Sequence, residues 1–545
     1  MTHRVRTALA VLAALSASAL VLSGCAGDGE TPAESQPPKA GGDVVFAIDT
    51  VLTSFDPNVA AAAQDARIMR QIYDSLVVLD ADKTVQPWLA ESWTISDDGL
   101  TYTFTVRDDV VFHDGTPFNG EAVCFNLDRI KDPASASIYA IGLIGPYASC
   151  EAPDETTAVV TLASPYAPFL QILSSPFLGI VSPTAASEAE LADFAINPVG
   201  SGPFVFESYT PNDRIVLKKN ADYAWAPSSA EHEGAPLIDS LTFQIIPDAT
   251  VRLGSLRSGA IQGVGNVPET EASAIESDAS LTFYAQAQSG SPYQLNFNTE
   301  REPFDDPAVR SAIRSAIDID SAVQALYLGV YERAWGPLAP TTLAYDESIE
   351  GSFSFDAAAA AKSLDDAGWV EGSDGVRTKN GERLTLEYLE FAPNREKRQD
   401  IAEFVKANLA EIGVEVDVRI DQVAGYQASL QAGDYDIAGL SLVSADPNVV
   451  YSLYSPQFRA EPGRNGFNFT RVDQPELTDL VLAAQQEQDE AARIDLYSQI
   501  QKYVIDEALS IGFYVPTYTV ATNGIQGLRF DSEGYPVFYD VSLVG

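Results

Sequence analysis

Histidine is scarce in this chain, and that limits the catalytic chemistry its side chains can support. Among 545 residues there are three histidines, His3, His113 and His232, and none belongs to an HExxH pattern. The sequence also has no GxSxG turn of a serine hydrolase and no phosphate-cradling GxxxxGK loop. A Ser-His-Asp hydrolase would need His113 or His232 as its base. A glycoside hydrolase that uses two carboxylates is not excluded, because 77 acidic residues supply pairs at nearly any spacing.

Cys25 has the surroundings of a residue that is covalently modified. It ends the sequence Leu22-Ser23-Gly24-Cys25, which follows two basic residues, Arg4 and Arg6, and an apolar run over residues 8–22. This three-part form is typical of a secretory signal and is too short for a permanent membrane span. We expect residues 1–24 to be a lipoprotein signal peptide and Cys25 to become the acylated N-terminus. An ordinary signal peptide with a chance cysteine is the alternative.

Two further cysteines, Cys124 and Cys150, form an even pair in a chain that is expected to be exported. In an oxidising compartment such a pair favours a disulfide, which would close a loop of about 26 residues. Two unrelated buried thiols are the competing interpretation. A metal pair is disfavoured, since there is no CxxC and no nearby histidine. We expect no resident metal and no cofactor.

The charge of the chain restricts its partners. The formal net charge is −44, with 33 basic and 77 acidic residues. Nucleic-acid binding depends on basic side chains that meet phosphates, so we expect no nucleic acid among the partners. The acidity is better explained as a solubility feature of an exported surface.

The elements that must position any site alternate between helix and strand. Residues 25–42 are rich in Pro, Gly, Ser and acidic residues and predict a flexible tether, and a folded body begins near residue 43. Asp356 can cap a helix through residue 367 that ends at Gly368. An Asn-Gly turn at residues 379–382 leads into a strand over 384–388, then a helix over 401–412 and a strand over 414–420. Two helices, near 476–485 and 491–505, precede an aromatic strand around 513–515. This alternation predicts a mixed α/β (α+β) body of about three domains.

Several ordered motifs point to one family. They are QPWLAESW at residues 86–93, SDDGLTYTFTVR at 96–107 and VFHDGTPF at 111–118, where the Asp-Gly after His113 favours a structural turn. SFDP at 54–57, NPVGSGPF at 197–204, NFN at 296–298 and PFDD at 303–306 extend the pattern. Together they resemble solute-binding protein family 5, the peptide-, oligopeptide- and nickel-binding proteins of ABC importers.

This resemblance implies a periplasmic-binding-protein-like fold with two lobes and an extra domain, hinged by two crossing segments. By analogy, domain I comprises residues 43–73, 190–296 and 506–545, domain II is the insertion 74–189, and domain III is 297–505. The hinge would lie near residues 296–299 and 503–507. Closure of the lobes over a ligand requires no covalent chemistry.

The implied function is that of a monomeric, lipid-anchored receptor at the extracytoplasmic face of the cell membrane, not an enzyme. It would capture a small solute, with a di- or oligopeptide as the expected ligand, and deliver it to the transmembrane subunits of an ABC permease. An oligosaccharide or a chelated metal is the alternative within the family. A secreted hydrolase of peptides or glycans and a surface scaffold or adhesin are the alternatives from other classes.

Four residues are the candidates for ligand contact. The resemblance places Asp446 where peptide-binding relatives pair a carboxylate with the ligand's α-amino group, although Asp446 can equally start a turn before Pro447. Phe55, Tyr293 and Trp335 are candidate aromatic walls of the pocket. The alternative for each aromatic residue is a place in the hydrophobic core.

Overall fold

A computed structural model describes residues 39–135, 137 and 139–544. The predicted signal peptide, Cys25 and most of the predicted tether lie outside these residues. Within the described part of the chain, no helix is both long enough and apolar enough to cross a membrane. The residues from 39 onward belong to one compact unit, which is built on three large sheets.

The first lobe is formed around a seven-stranded sheet. Its strands, in spatial order, are Leu281–Ala287, Thr517–Asn523, Gly263–Gly265, Asp43–Ile48, Ser240–Ile245, Arg214–Lys219 and Phe204–Thr210. Asp43–Ile48 runs parallel to both of its neighbours, whereas the other pairs are antiparallel. Its helices include Ala63–Ile72, Leu191–Phe194, Ala249–Arg257 and Ala272–Glu276. The helix Pro183–Glu188, at the end of the inserted domain, packs against the first-lobe core through Ala185 and Ala186.

The inserted domain contains a four-stranded antiparallel sheet ordered Ala90–Ile95, Thr101–Val106, Thr157–Leu162 and Tyr147–Asp154. The helix Gly120–Lys131 packs on it, and Ala140–Leu143 and Phe169–Ile172 are short helices. Alternate residues of Thr101–Val106 and Thr157–Leu162, among them Tyr102, Phe104 and Val160, are buried in one core. This alternation buries one face of the sheet, as expected for an antiparallel sheet that faces solvent on the other side.

The second lobe is formed around a five-stranded sheet ordered Glu415–Gln422, Thr385–Ala392, Ile437–Val443, Gly290–Phe297 and Ser510–Tyr514. Thr385–Ala392 is parallel to both neighbours and its other pairs are antiparallel. The helices of eight or more residues are Pro307–Ser315, Ile319–Tyr327, Ala357–Asp366, Arg398–Ala410, Val423–Ala432, Pro475–Gln486 and Glu490–Asp506, and Val449–Tyr454 is shorter. Small two- and three-stranded sheets complete the fold: Val77–Leu79 with Val85–Pro87; Val370–Glu371, Arg377–Lys379 and Glu382–Arg383; Ile525–Gln526 with Ser542–Leu543; and Arg529–Phe530 with Pro536–Val537.

Local predictions in the second lobe are confirmed. The Asp356 side chain accepts a hydrogen bond from Ala359 N at 2.8 Å and caps the helix, and Gly368 has a φ of +89° just after its end. Asn380 and Gly381 both have positive φ in the predicted hairpin turn, which only residues tolerant of the left-handed region adopt readily. The mixed α/β fold class is confirmed as well.

The two crossings between the large sheets lie side by side. Ala287 ends a first-lobe strand and Gly290 begins a second-lobe strand, while Tyr514 and Thr517 bound the return. At the junction Gln288 N donates to Pro516 O at 2.8 Å. Gly290 has a φ of +110°, and a Cβ there would stand 2.3 Å from the Leu442 carbonyl oxygen, so the second strand can start at this point only with glycine.

These crossings differ from the predicted hinge at 296–299 and 503–507. The reason is long-range strand pairing, because Asn296 pairs with both Ala438 and Ser510 inside the second-lobe sheet. Residues 290–296 and 510–514, predicted to belong to domain I, lie in strands of the five-stranded sheet.

Candidate functional site

A cavity of about 210 Å³ lies between the inserted domain and the second lobe. We call it the cleft cavity. The inserted domain contributes Tyr139, Ile141, Gly142, Leu143, Tyr166 and Ile172, and the second lobe contributes Leu442, Ser444, Asp446, Asn448, Val449, Ser452, Gln457, Phe458, Arg464, Asn465, Gly466 and Phe467. Aromatic and aliphatic walls with a few polar groups are typical of small-molecule sites.

The two walls of the cleft cavity contact each other directly. Tyr139 Oη donates to the Val443 carbonyl oxygen at 2.7 Å. Asn448 Nδ2 donates to Tyr166 Oη at 3.3 Å. Lys397 of the second lobe forms an ion pair of 2.8 Å with Glu269 of the first lobe. The two lobes are therefore in contact across the cleft as well as through the crossings.

Asp446 lies at the cleft cavity, but its carboxylate is engaged within the protein. The residue is 1% exposed, and Arg493 Nη2 donates to its two oxygens at 2.7 and 2.9 Å. Burial tends to lower the pKa of the Arg493 guanidinium, but its interactions with Asp446 and Tyr497 are stronger together, and the pKa is raised. Asp446 Oδ1 also accepts from Asn448 N at 2.8 Å, two residues along. These contacts favour the turn alternative, and a ligand contact at Asp446 stays a prediction.

Phe55 and Trp335 lie away from the cleft cavity. Phe55 is buried in the first-lobe core, with its ring 5.5 Å from Phe206. Trp335 is half-buried in the second lobe, 5.6 Å from the Phe353 ring and covered by the Arg333 guanidinium at 3.5 Å. Both positions favour the core interpretation over the predicted pocket wall.

Tyr293 is fully buried in the centre of the second-lobe sheet. Its hydroxyl donates to Glu390 Oε2 at 2.9 Å, its ring stacks on Tyr514 at 4.9 Å, and the Arg398 guanidinium lies 4.5 Å above it. Burial raises the pKa of both Tyr293 and Glu390. The position is one of core packing with a satisfied hydroxyl, and Tyr293 does not line the cleft cavity.

The predicted disulfide is present. Cys124 and Cys150 are bonded, with their Cα atoms 5.0 Å apart. The bond joins the helix Gly120–Lys131 to the strand Tyr147–Asp154 within the inserted domain.

Neither remaining histidine is arranged for catalysis in the cleft cavity. His113 lies in the predicted turn, its Nε2 is 2.9 Å from the Gly202 carbonyl oxygen, and burial lowers its pKa to about 4. His232 does not line the cleft cavity; its Nδ1 is 2.8 Å from Asp540 Oδ1 in the C-terminal segment. Among the residues that the structure describes, no group of three or more His, Cys, Asp and Glu side chains could hold a metal ion.

Arg464 and Asn448 are cleft residues that the sequence analysis did not single out. Arg464 is the one basic residue among the described residues that line the cleft cavity, and its Nη2 also forms a 3.1 Å ion pair with Glu461. The Oδ1 atom of Asn448 is buried and has no hydrogen-bond partner among the described residues. The available signal was the Pro462-Gly463-Arg464-Asn465-Gly466 segment, a turn-rich loop that carries polar side chains.

A second and larger cavity of about 690 Å³ lies where the first lobe and the inserted domain meet the crossings. Ser289, at the crossing, and Thr341, in the second lobe, line this cavity. All its other described lining residues belong to the first lobe or to the inserted domain. A solute that drives closure must contact both moving bodies. The cleft cavity, with walls divided between two bodies, meets this requirement better than the larger one.

Comparison with known proteins decides the family. Residues 84–462 match the family described as bacterial extracellular solute-binding proteins, family 5 Middle. The chain belongs to this family.

Relatives of this solute-binding protein cover nearly all of its length. The glutathione-binding protein GsiB of Shigella dysenteriae serotype 1 is 29% identical over 471 residues, covering 86% of this chain and 87% of the relative. The periplasmic binding protein DppA of Helicobacter pylori, solved in complex with the peptide STSA, is 27% identical with a TM-score of 0.78, covering 93% of this chain and 99% of that one. NikA of Brucella suis, in complex with Fe(III)-EDTA, is similar in fold with a TM-score of 0.81 at 24% identity, covering 92% of this chain and 100% of that one.

Proposed function

We propose that this solute-binding protein captures a small peptide-like solute in the cleft cavity and delivers it to an ABC permease. The observation that carries the proposal is the cavity between the inserted domain and the second lobe, whose walls meet at the Tyr139–Val443 hydrogen bond. A ligand that contacts both walls stabilises the closed form over the open form. A permease can then distinguish the loaded receptor by its shape.

The charges in the cleft cavity favour a solute that offers a carboxylate. Arg464 is half exposed at the cavity, whereas Asp446 is neutralised by Arg493. A carboxylate can form a charge-assisted hydrogen bond with a guanidinium. The peptide and glutathione named for the relatives DppA and GsiB both carry carboxylates, which supports a peptide-like ligand for this chain.

The proposed motion is a hinge at residues 288–289 and 515–516. Two adjacent backbone segments, linked by the Gln288–Pro516 hydrogen bond, connect the large sheets. We take the domain edges to follow the sheets, so that the second lobe spans residues 290–514 and the inserted domain stays at 74–189. Such short crossings can absorb the dihedral changes of closure.

The proposed location is the extracytoplasmic face of the membrane, with acylated Cys25 as the anchor. The sequence Leu22-Ser23-Gly24-Cys25 supports it, and a disulfide is expected in an exported protein. A mass measurement on the mature protein tests the anchor, since acylation adds hydrocarbon chains to the N-terminal cysteine and a Cys25→Ala variant would lose them.

Calorimetry on the body of residues 39–545 tests the function. Glutathione and di- to pentapeptides, with mono- and oligosaccharides and nickel chelates for comparison, should give saturable binding of an intact ligand for at least one carboxylate-bearing peptide. At about 100 times its dissociation constant, such a ligand adds about 2.7 kcal/mol of stability. Arg464→Gln should weaken binding by about tenfold, whereas Arg383→Gln, at an exposed ion pair in the same lobe, should not.

Three results would contradict the proposal. Release of cleaved peptide, detected by mass spectrometry, would show a hydrolase. Equal peptide affinity in wild type and Arg464→Gln, or tight binding of an uncharged sugar in place of a peptide, would remove the argument from the cleft charges.

A further inference from the structure

The larger cavity is lined like a small-molecule site. It is separate from the cleft cavity, in which the solute is proposed to bind. Its volume of about 690 Å³ lies within the range of typical ligand pockets. Aromatic rings from three segments line it, namely Trp88, Tyr223, Phe530 and Tyr539. Trp88 is 8% exposed, and its indole nitrogen donates to the Trp225 carbonyl oxygen at 3.1 Å, so it offers the cavity an apolar surface.

Lys83 brings an uncompensated positive charge to this cavity. Its Nζ donates to Ser289 Oγ at 2.8 Å and to the Ser532 carbonyl oxygen, and both acceptors are uncharged. Within the described chain no carboxylate lies at ion-pair distance from it, although Asp531 and Glu533 act on it from farther away. Burial lowers the pKa of Lys83. This is expected for an ammonium group that is removed from water and has no carboxylate in direct contact.

Arg529 lines the same cavity with an unused donor. Its Nη1 and Nη2 atoms are engaged by Ser229 O and Asp540. Its Nε atom is buried without a partner among the described residues. Arg70, the third basic residue of the lining, is already paired with Asp531 at 2.9 Å. Because the guanidinium of Arg529 is engaged or buried, Lys83 is the basic residue of the described lining that has no ion pair. Two carboxylates, Asp80 and Asp531, line the cavity as well.

We propose that the larger cavity is a second binding site, for a small molecule that joins an aromatic or branched aliphatic body to a carboxylate. The carboxylate would meet Lys83, and the apolar body would contact the aromatic walls. Gln286, Ala287 and Ser289 of the first crossing also line the cavity. A ligand here touches the segment that must bend in closure, so it changes the affinity of the cleft for its solute, and the solute changes the affinity of this cavity by the same factor. The inference does not depend on the identity of the cleft solute.

Indole-3-acetate is a suitable probe, because it has an aromatic body and one carboxylate. Titration into the wild-type protein, followed by calorimetry, should show one saturable site. Tryptamine, which replaces the carboxylate by an amine, and acetate, which lacks the ring, should each bind at least about tenfold more weakly.

Two variants identify the cavity. Lys83→Met keeps the aliphatic stem and removes the charge, and it should weaken indole-3-acetate by about tenfold or more. Ala230→Phe fills space at the cavity wall and should abolish binding while leaving Lys83 in place. Lys362→Met, which changes an exposed lysine on a second-lobe helix, is the matched control and should bind as wild type does.

Circular dichroism and the melting midpoint establish that each variant is folded before binding is measured. If Lys83→Met unfolds, Ala230→Phe alone decides the result. Absence of saturable binding to wild type at millimolar probe, or equal affinity in wild type and a folded Ala230→Phe variant, overturns the proposal. Failure of the cleft solute to bind leaves this test unaffected, because the probe is read out directly.

Discussion

Replacement of Asp446 by asparagine separates a structural role from a ligand-binding one. Asn keeps the size of the side chain and removes the charge that Arg493 contacts through both carboxylate oxygens. Arg493 is 11% exposed, so little solvent is available to replace the lost partner. We expect Asp446→Asn to lower the unfolding free energy by about 3 kcal/mol, the low end for breaking a buried ion pair.

The expected change can be read as a melting shift. The second lobe has about 220 residues between Gly290 and Tyr514, which corresponds to an unfolding entropy of about 0.5 kcal/mol/K. A loss of about 3 kcal/mol therefore lowers the melting midpoint of this lobe by about 6 °C. Differential scanning calorimetry measures it, with Asp366→Asn, at an exposed helical ion pair, as the control expected within about 1 °C.

A double-mutant cycle with Arg493→Met completes the test. The coupling energy between the two positions should be about 2 kcal/mol or more, because each single change leaves one buried partner alone. A melting midpoint of Asp446→Asn equal to that of wild type, together with weakened solute binding, would refute the structural reading and support direct ligand contact.

Three further changes test other parts of the fold. The double variant Cys124→Ser/Cys150→Ser should lose about 3 kcal/mol of unfolding free energy, because the disulfide joins residues 26 positions apart. Wild type reduced by dithiothreitol should have the same thermal melt as the variant. A change below about 0.5 kcal/mol would contradict this prediction. Burial raises the pKa of Asp74 from 3.8 to about 6, so the folded state holds its proton more tightly and stability falls as the pH rises from about 4 to about 7, by about 3 kcal/mol. In Asp74→Asn this part of the slope should be absent from urea unfolding midpoints measured across that range, and an unchanged slope would count against the assignment. Lys397→Gln removes the ion pair with Glu269 across the cleft, so the solute-free protein should populate the open form more. Its radius of gyration, measured by small-angle scattering, should be larger, and its affinity for the solute should fall by about two- to fivefold. An unchanged radius and affinity would show that the pair does not bias closure.

Local signals predicted the elements of this chain well. The Asp356 cap, the Asn380-Gly381 turn and the helix that ends before Gly413 depend on contacts within a few residues, and each is present in the structure. The disulfide could be predicted for a different reason: once Cys25 is assigned to acylation, the two remaining cysteines leave one pairing.

Non-local contacts explain what the sequence could not supply. The partner of Asp446 is Arg493, 47 positions later on the helix Glu490–Asp506. The sequence therefore shows no sign that the Asp446 carboxylate is already paired. The burial of Tyr293 depends on Tyr514 in a neighbouring strand, and the crossings were displaced because Asn296 pairs with strands that come more than 140 residues later. The polar loop around Arg464 has no local pattern that distinguishes a cavity wall from an ordinary surface turn.

The position of the strand Thr517–Asn523 has a consequence for how the chain reaches its folded state. This strand is inserted between Gly263–Gly265 and Leu281–Ala287. It pairs with Leu281–Ala287 along its whole length and with Gly263–Gly265 through residues 520–522. During synthesis and export from the N-terminus, the first lobe holds two unpaired strand edges until about the last twentieth of the polypeptide emerges. A product truncated before residue 517 would keep the helices and strands of the second lobe, yet it would leave a gap between the edge strand Leu281–Ala287 and the rest of the first lobe's sheet. Quality control by proteolysis at that gap can therefore discriminate finished from unfinished molecules.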